Sequence, residues 1–256
     1  MRVECDRCLV YAAPIGCGLK LYQDLITVNM KSKIKLILGD CLEEIKNIPE
    51  ESVDLLVSDP PYNQGYHYSG YHDVLDEQDY RELLYRVLEG RRSCIIHYPE
   101  QTIEILAKLN IGKLGEVVSW VYPSNTAKQS RLITWWGCKP DFRKIGQEYR
   151  NPADKRIAKR IAEGKKARAY DWWLVNQVKN VGKKDNPHPC PMPIEIIRRI
   201  LLSTTEIGDT ILDPFMGSGT TGVACKELGR NFIGIEIDKN YFEVAKRRIE
   251  SACAGW

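Results

Sequence analysis

Asp213-Pro214-Phe215-Met216-Gly217-Ser218-Gly219-Thr220-Thr221-Gly222 follows a short apolar run, Thr210-Ile211-Leu212. It leads into Thr220 to Leu228, which has helical spacing and stops at Gly229. A strand, a glycine turn and a helix, in that order, form the repeating unit of open, mostly parallel sheets. Gly217, Gly219 and Gly222 let the backbone turn tightly and approach a bound group where a side chain would collide. Phe232 to Ile237 reads as the next strand, and Glu236 stands near its end, 14 residues beyond Gly222. A carboxylate there can accept both hydroxyl protons of a ribose. The spacing also matches the dinucleotide fingerprint Gly-x-Gly-x-x-Gly, but the acid expected about 20 residues further on for NAD is poorly placed. The motif alone therefore calls for an adenosine-type cofactor, either a dinucleotide or S-adenosylmethionine (SAM).

Outward from this point the chain alternates. Ile34–Leu38, Val53–Val57, Ser93–His97 and Val117–Val121 read as strands. Cys41–Ile48, Asp79–Leu88, Thr102–Leu109 and Tyr241–Ile249 read as helices, and Pro193 opens another in its first turn. This alternation predicts an α/β fold, a mostly parallel sheet with helices on both faces. Residues 123–187 interrupt it with polar, basic and aromatic sequence of little apolar period. Residues 1–29 have no period either and read as an extension to a single domain over 30–256. Cys5 and Cys8 form a Cys-x-x-Cys pair, but no second pair completes four ligands nearby, so no metal site is expected.

Composition excludes other classes. With 256 residues, 43% of them hydrophobic, the chain can bury a core and is not of disordered type. No apolar run approaches the ~20 residues of a membrane span, and charged residues break up the N-terminal stretch that a secretory signal would need. Nine scattered cysteines are odd in number, which argues against a disulfide framework and for a reducing cytoplasm.

Asp59-Pro60-Pro61-Tyr62-Asn63 closes the apolar run Val53–Val57, at the carboxyl end of a strand, where open α/β sheets place their ligands. Two prolines fix the backbone and remove two N–H donors. The Asp59 carboxylate and the proline carbonyls then form a rigid set of acceptors beside the flat ring of Tyr62. Acceptors beside a ring suit an exocyclic amino group on a planar base.

Together the two motifs resemble those of the DNA amino-methyltransferases, which transfer a methyl group from SAM to adenine N6 or cytosine N4. The resemblance runs from about Ile34 to Ile249, and the motif order matches the permuted β group of that family. It implies a Rossmann-like SAM-dependent methyltransferase fold with a basic DNA-recognition insert. Asp59, Pro60 and Tyr62 are implied to be catalytic, with the target base flipped out of the duplex and stacked on Tyr62. The implied cofactor site holds Asp40, Cys41, Asp213, Phe215, Gly217, Ser218, Gly219, Thr220 and Glu236. His188 joins it through Asn186-Pro187-His188-Pro189, although Met192-Pro193 stands where many members have Lys-Pro. Asp at the first position of the catalytic motif favours adenine, with cytosine N4 as the alternative. The resemblance also implies double-stranded DNA as partner, a cognate restriction endonuclease, a homodimer, and the cytoplasm of a prokaryotic cell or of a virus-infected one.

The net charge of +3 conceals its distribution. Residues 139–168 hold 11 Lys or Arg against 4 Asp or Glu, a local balance of +7 that leaves −4 for the rest. Asn151-Pro152 reads as the start of a helix and Glu163-Gly164 as its end. Lys155, Arg156, Lys159 and Arg160 form its basic face, with Ile157 and Ile161 as an apolar stripe. Taken alone a charge run is usually a solvated helix face. Beside a base-modifying site these residues, with Lys165, Lys166 and Arg168, are better read as phosphate contacts. Two rival functions are an NAD-dependent oxidoreductase, which leaves the Asp59 motif unexplained, and a non-catalytic DNA-binding protein, which predicts damaged motifs where both are intact.

Overall fold

A computed structural model describes residues 32–63, 65, 67–68, 71–72, 74–124, 127–178 and 191–253. The Cys5–Cys8 pair, His188 and residues 179–190 lie outside the described residues.

The described elements alternate as the periodicity predicts. Strands β1 (Ile34–Leu38), β2 (Leu55–Ser58) and β5 (Ser93–His97) stand among helices α1 (Cys41–Glu44), α2 (Glu77–Leu88) and α3 (Pro99–Glu104). A small hairpin of β3 (His67–Tyr68) and β4 (Tyr71–His72) lies between β2 and α2 in the chain. Then come β6 (Leu114–Val121), β7 (Ser130–Trp136), α4 (Lys155–Ala162) and β8 (Trp172–Leu174). The chain closes with α5 (Ile194–Thr204), β9 (Thr210–Asp213), α6 (Thr220–Glu227), β10 (Asn231–Glu236) and α7 (Lys239–Ser251).

Eight strands form one sheet in the order β1-β10-β9-β2-β5-β7-β6-β8. β1, β10, β9, β2 and β5 are mutually parallel, and β7 alone runs against its neighbours β5 and β6. Strand order turns back between β9 and β2, which opens a crevice beyond their carboxyl ends.

Side chains alternate along each strand and feed two separate cores. Leu55, Val57, Cys94, Ile96 and Ile211 pack under α5, α6 and α7, against Ile197, Leu201, Val223 and Ala245. Leu56, Ile95, Leu212 and Ile235 face the other way, onto Tyr80, Leu84, Val87 and Leu88 of α2. All four residues of β2 are buried, which is why its sequence is continuously apolar up to Ser58 rather than alternating.

Three local expectations are corrected. The segment 123–187, read as lacking period, contributes β7 and β8, and β7 joins the sheet next to β5. Trp135 and Trp136 lie on opposite faces of β7, one in each core. The helix of the basic segment starts after Asp154, whose carboxylate accepts from the N–H groups of Arg156 and Ile157, not at Asn151-Pro152. Thr102–Leu109 is also not one helix: α3 begins at Pro99 and a 3-10 turn follows over Leu106–Lys108.

Candidate active site

Both sequence motifs meet at the β2–β9 crevice. One cavity of about 310 Å³ is lined by Asp40, Asp59, Tyr62, Asp213, Gly217 and Glu236, among others. These residues come from the ends of four neighbouring strands, so the sheet order brings together positions more than 170 residues apart in the chain.

The catalytic motif is fastened at every residue after the prolines. The Tyr80 hydroxyl of α2 donates to the Pro61 carbonyl at 2.7 Å, and Gln101 of α3 donates to the Tyr62 carbonyl. Asn63 takes a positive φ of 53° and binds Leu75 twice, through its side-chain oxygen and its amide nitrogen. The Pro61 carbonyl thus already accepts from Tyr80, which fixes its direction. Tyr62 is buried with its ring among Tyr98, His97 and the Arg131 guanidinium. Its hydroxyl donates to Asp59 Oδ1 and accepts from Arg131 Nη1 at 2.7 Å.

The glycine loop is fastened in the same manner. Glu236 accepts from the N–H of Gly217 at 2.8 Å and from that of Asp238 at 2.9 Å, which ties the loop to the end of β10. Asp213 accepts from the Thr221 hydroxyl at 2.6 Å and from the Phe215 N–H at 3.1 Å. Arg248 of α7 donates to both the carbonyl and the hydroxyl of Ser218. Asp40 caps α1 by accepting from Leu42, and Cys41 beside it is buried, its thiol pushed up to about 12 by burial and the adjacent Asp40 charge.

The glycines permit the tight turn, and two of them also allow close packing of the neighbouring elements. A Cβ on Gly219, at φ 80°, would stand 2.8 Å from the Ala245 Cβ of α7. One on Gly222 would stand 2.4 Å from Ile249 and 2.7 Å from Phe232. Gly217, at φ 52°, remains the position where the turn itself needs glycine.

Three carboxyls share this low-dielectric space. Burial raises the proton affinity of Asp59, against the opposing influence of Arg131 and the Tyr62 hydroxyl. Burial raises Asp213 to about 7, with Asp59 and Glu236 adding to the rise. Glu236 is raised by burial despite its two N–H donors. Like charges crowded around a cavity favour a cationic occupant. A sulfonium with an adenosine and an amino acid group fits that donor set and the glycine turn.

The basic lobe differs in kind. Gln147 and Ala167 exchange backbone hydrogen bonds of 2.9 and 2.8 Å and close the segment between them. Helix α4 inside it buries no residue, and Ile161 is exposed. Lys155, Lys159, Arg160 and Lys166 point into solvent, as do Arg156 and Lys165, each with one exposed ion pair. Arg168 is placed otherwise, bonded to Glu116 at 3.1 Å and packed on the Phe142 ring.

Sequence reasoning missed Arg131, Gln101, Tyr80 and Arg248. Only Arg131 left a signal, the β-branched and aromatic run Ser130–Trp136 that carries it.

Residues 53–247 match the family model described as DNA methylase. A type II methyltransferase, M2.DpnII of Streptococcus pneumoniae, is 31% identical over 250 residues, 86% of this chain and 91% of that protein. The DNA adenine methyltransferase YhdJ of Escherichia coli (strain K12) is 29% identical over 250 residues, 85% of this chain and 83% of that protein. Among solved structures, the M1.HpyAVI–SAM complex superposes with a TM-score of 0.57 at 25% identity, covering 84% of this chain and 99% of that one.

Proposed function

The chain belongs to the DNA methylase family, and from that premise we propose that it methylates adenine N6 in double-stranded DNA with SAM as donor. The observation that carries the proposal is the convergence of the Asp59 motif and the Gly217 loop on one cavity. Asp at the head of the catalytic motif, and a relative named as a DNA adenine methyltransferase, support adenine.

Asp40, Phe215, Gly217, Ser218, Thr220 and Glu236 would hold the nucleoside part of SAM, and Asp213 its cationic part. Cys41 and Gly219 shape the wall, and His188 is assigned to the methionine end by resemblance alone. Bound SAM supplies an activated methyl group. The chain's own task is to raise the nucleophilicity of a conjugated amino group. Asp59 Oδ2 and the Pro60 carbonyl accept its two N–H bonds, which localises the nitrogen lone pair and stabilises the positive charge that develops there. Holding the amino group in line supplies much of the remaining acceleration. No nucleophilic side chain is needed. Tyr62 is 2% exposed, with its ring among Tyr98, His97 and Arg131, so stacking of the base on it, as the resemblance implies, would require this packing to open.

The six solvent-facing cations of the basic lobe, Lys155, Arg156, Lys159, Arg160, Lys165 and Lys166, would contact phosphates. Arg168, exposed and paired with Glu116, would exchange that partner for a phosphate. A cognate restriction endonuclease, a homodimer and a cytoplasmic setting complete the proposal. Among the described residues no helix is long and apolar enough to cross a membrane.

Incubation with methyl-labelled SAM and mixed-sequence DNA, followed by nucleoside analysis, tests the proposal. N6-methyladenine is expected. N4-methylcytosine would transfer the assignment to the other base, and unlabelled DNA would overturn it.

A further inference from the structure

Arg131 lies in β7 with 2% of its surface exposed. The strand pairs it with Trp120 of β6, and its neighbour Leu132 pairs with His97 at the end of β5. Its guanidinium stands 4.8, 5.2 and 5.3 Å from the ring centroids of Tyr62, Tyr98 and Trp120. Through Nη1 it donates to the Tyr62 hydroxyl, which in turn donates to Asp59. Burying an arginine costs several kcal/mol unless its charge is compensated, and filling space between three rings needs no charge at all. The cation is therefore a feature that packing does not explain.

We propose that Arg131 is a positioning residue for Asp59, acting through the Tyr62 hydroxyl. A tyrosine hydroxyl has one proton to give. With Arg131 donating to its oxygen, that proton is turned toward Asp59 Oδ1. The carboxylate is thereby pinned at one oxygen and keeps Oδ2 free for the target amino group. A chain of cation, hydroxyl and carboxylate polarises each of its links in a dry site. The inference rests on the reading of Asp59 as the amino-group acceptor.

Charge supports the same reading. Tyr62 faces Asp59 from its own loop, Arg131 from β7 and Asp213 from β9, while His97 and Tyr98 flank Tyr62 from the end of β5. Arg131 is the main influence opposing the burial of Asp59. His97, lowered by burial to about 3, stays neutral over the working range and does not compete.

The test is the pH profile of kcat/KM for DNA, from about pH 5 to pH 9, for the wild type, Arg131→Met, Arg131→Lys, Tyr62→Phe and the double variant Arg131→Lys with Tyr62→Phe. SAM affinity and melting temperature accompany each profile. Arg131→Met is expected to cut turnover at least about 10-fold and move the acid limb up by about 1 pH unit, with SAM affinity retained. Arg131→Lys is expected to return most of the limb shift. Tyr62→Phe is expected to move the limb in the same direction, and the double variant to lose less than the sum of the single losses in activation free energy. An unmoved limb in folded Arg131→Met, or fully additive losses, overturns the inference. If Arg131→Met does not fold, the acid limb of folded Tyr62→Phe decides, and an unmoved limb there overturns the inference. An active Asp59→Ala sinks the acceptor reading itself; an inert Asp59→Ala beside wild-type-like Arg131 variants sinks only the role of Arg131.

Discussion

The crevice between β2 and β9 and the lobe between Gln147 and Ala167 are built on opposite terms. In the crevice nearly every polar group of the two motifs is held by a partner: Pro61 by Tyr80, Asn63 by Leu75, Gly217 by Glu236, Ser218 by Arg248. In the lobe a helix with four cations buries nothing and is closed by one backbone pair. Fixed geometry is what differential stabilisation of a transition state requires, because dipoles already in place need no reorganisation. A phosphate contact asks only for charge that stays in water until the duplex arrives. On the proposed function, the buried carboxyls serve chemistry and the exposed cations serve affinity.

The sharpest way to break this division is Asp59→Ala. Turnover should fall by at least about 10² to 10³-fold, while SAM and DNA affinities stay within a few-fold by equilibrium binding. A parallel loss of SAM affinity would mean that Asp59 is part of the cofactor site instead. Replacing Lys155, Arg156, Lys159 and Arg160 together by alanine should do the converse. The slope of log DNA affinity against log salt should become shallower by about 3 to 4, one unit for each lost phosphate contact. Melting temperature should hold nearly constant, since none of these side chains is buried.

Gly222→Ala probes how tightly the crevice is built. Its methyl group would meet Ile249 and Phe232 well inside contact distance, so a loss of about 1–3 kcal/mol is expected in urea unfolding. Gly164→Ala in the lobe meets open space, yet its φ of 71° strains a Cβ. It should cost only about 1 kcal/mol, and a larger loss there than at Gly222 would reverse the ranking.

The pH dependence of stability probes the buried carboxyls of the crevice. Asp213 rises from 3.8 to about 7 on folding. Between those values the folded state binds the extra proton, so this group's contribution is greatest at the acid end and falls as pH rises toward 7. Asp213→Asn should abolish that fall. Wild type and variant therefore draw apart with rising pH, and parallel melting curves across the window would contradict the assignment.

Much of the crevice was legible because its signals are local. Gly229 ends a helix, Pro193 opens one, and Thr210-Ile211-Leu212 before the glycine turn reads directly as strand, turn and helix. Asp59 and Gly217 could each be named from a short motif. That they share a cavity follows only from sheet order, a long-range property. β7 was hidden because its seven residues sit inside a basic segment whose composition outweighed their alternation. With β7 went Arg131, a buried cation that no charge run announces. Tyr80 and Arg248 touch the motifs from helices whose spacing announced a buried face but not which residue would reach back to a loop. Gln101 lies before the helix that the spacing gave at Thr102–Leu109.

A single salt titration of two ligands tests the division most directly. DNA and SAM affinities are measured on one preparation of the wild type between about 50 and 500 mM salt. The account predicts that DNA affinity falls with a log–log slope of about −4 or steeper, while SAM affinity moves by less than about 3-fold because its cavity is shielded from counterions. DNA affinity that is flat in salt, or SAM affinity that falls in step with it, would contradict the separation of the site of chemistry from the site of charge.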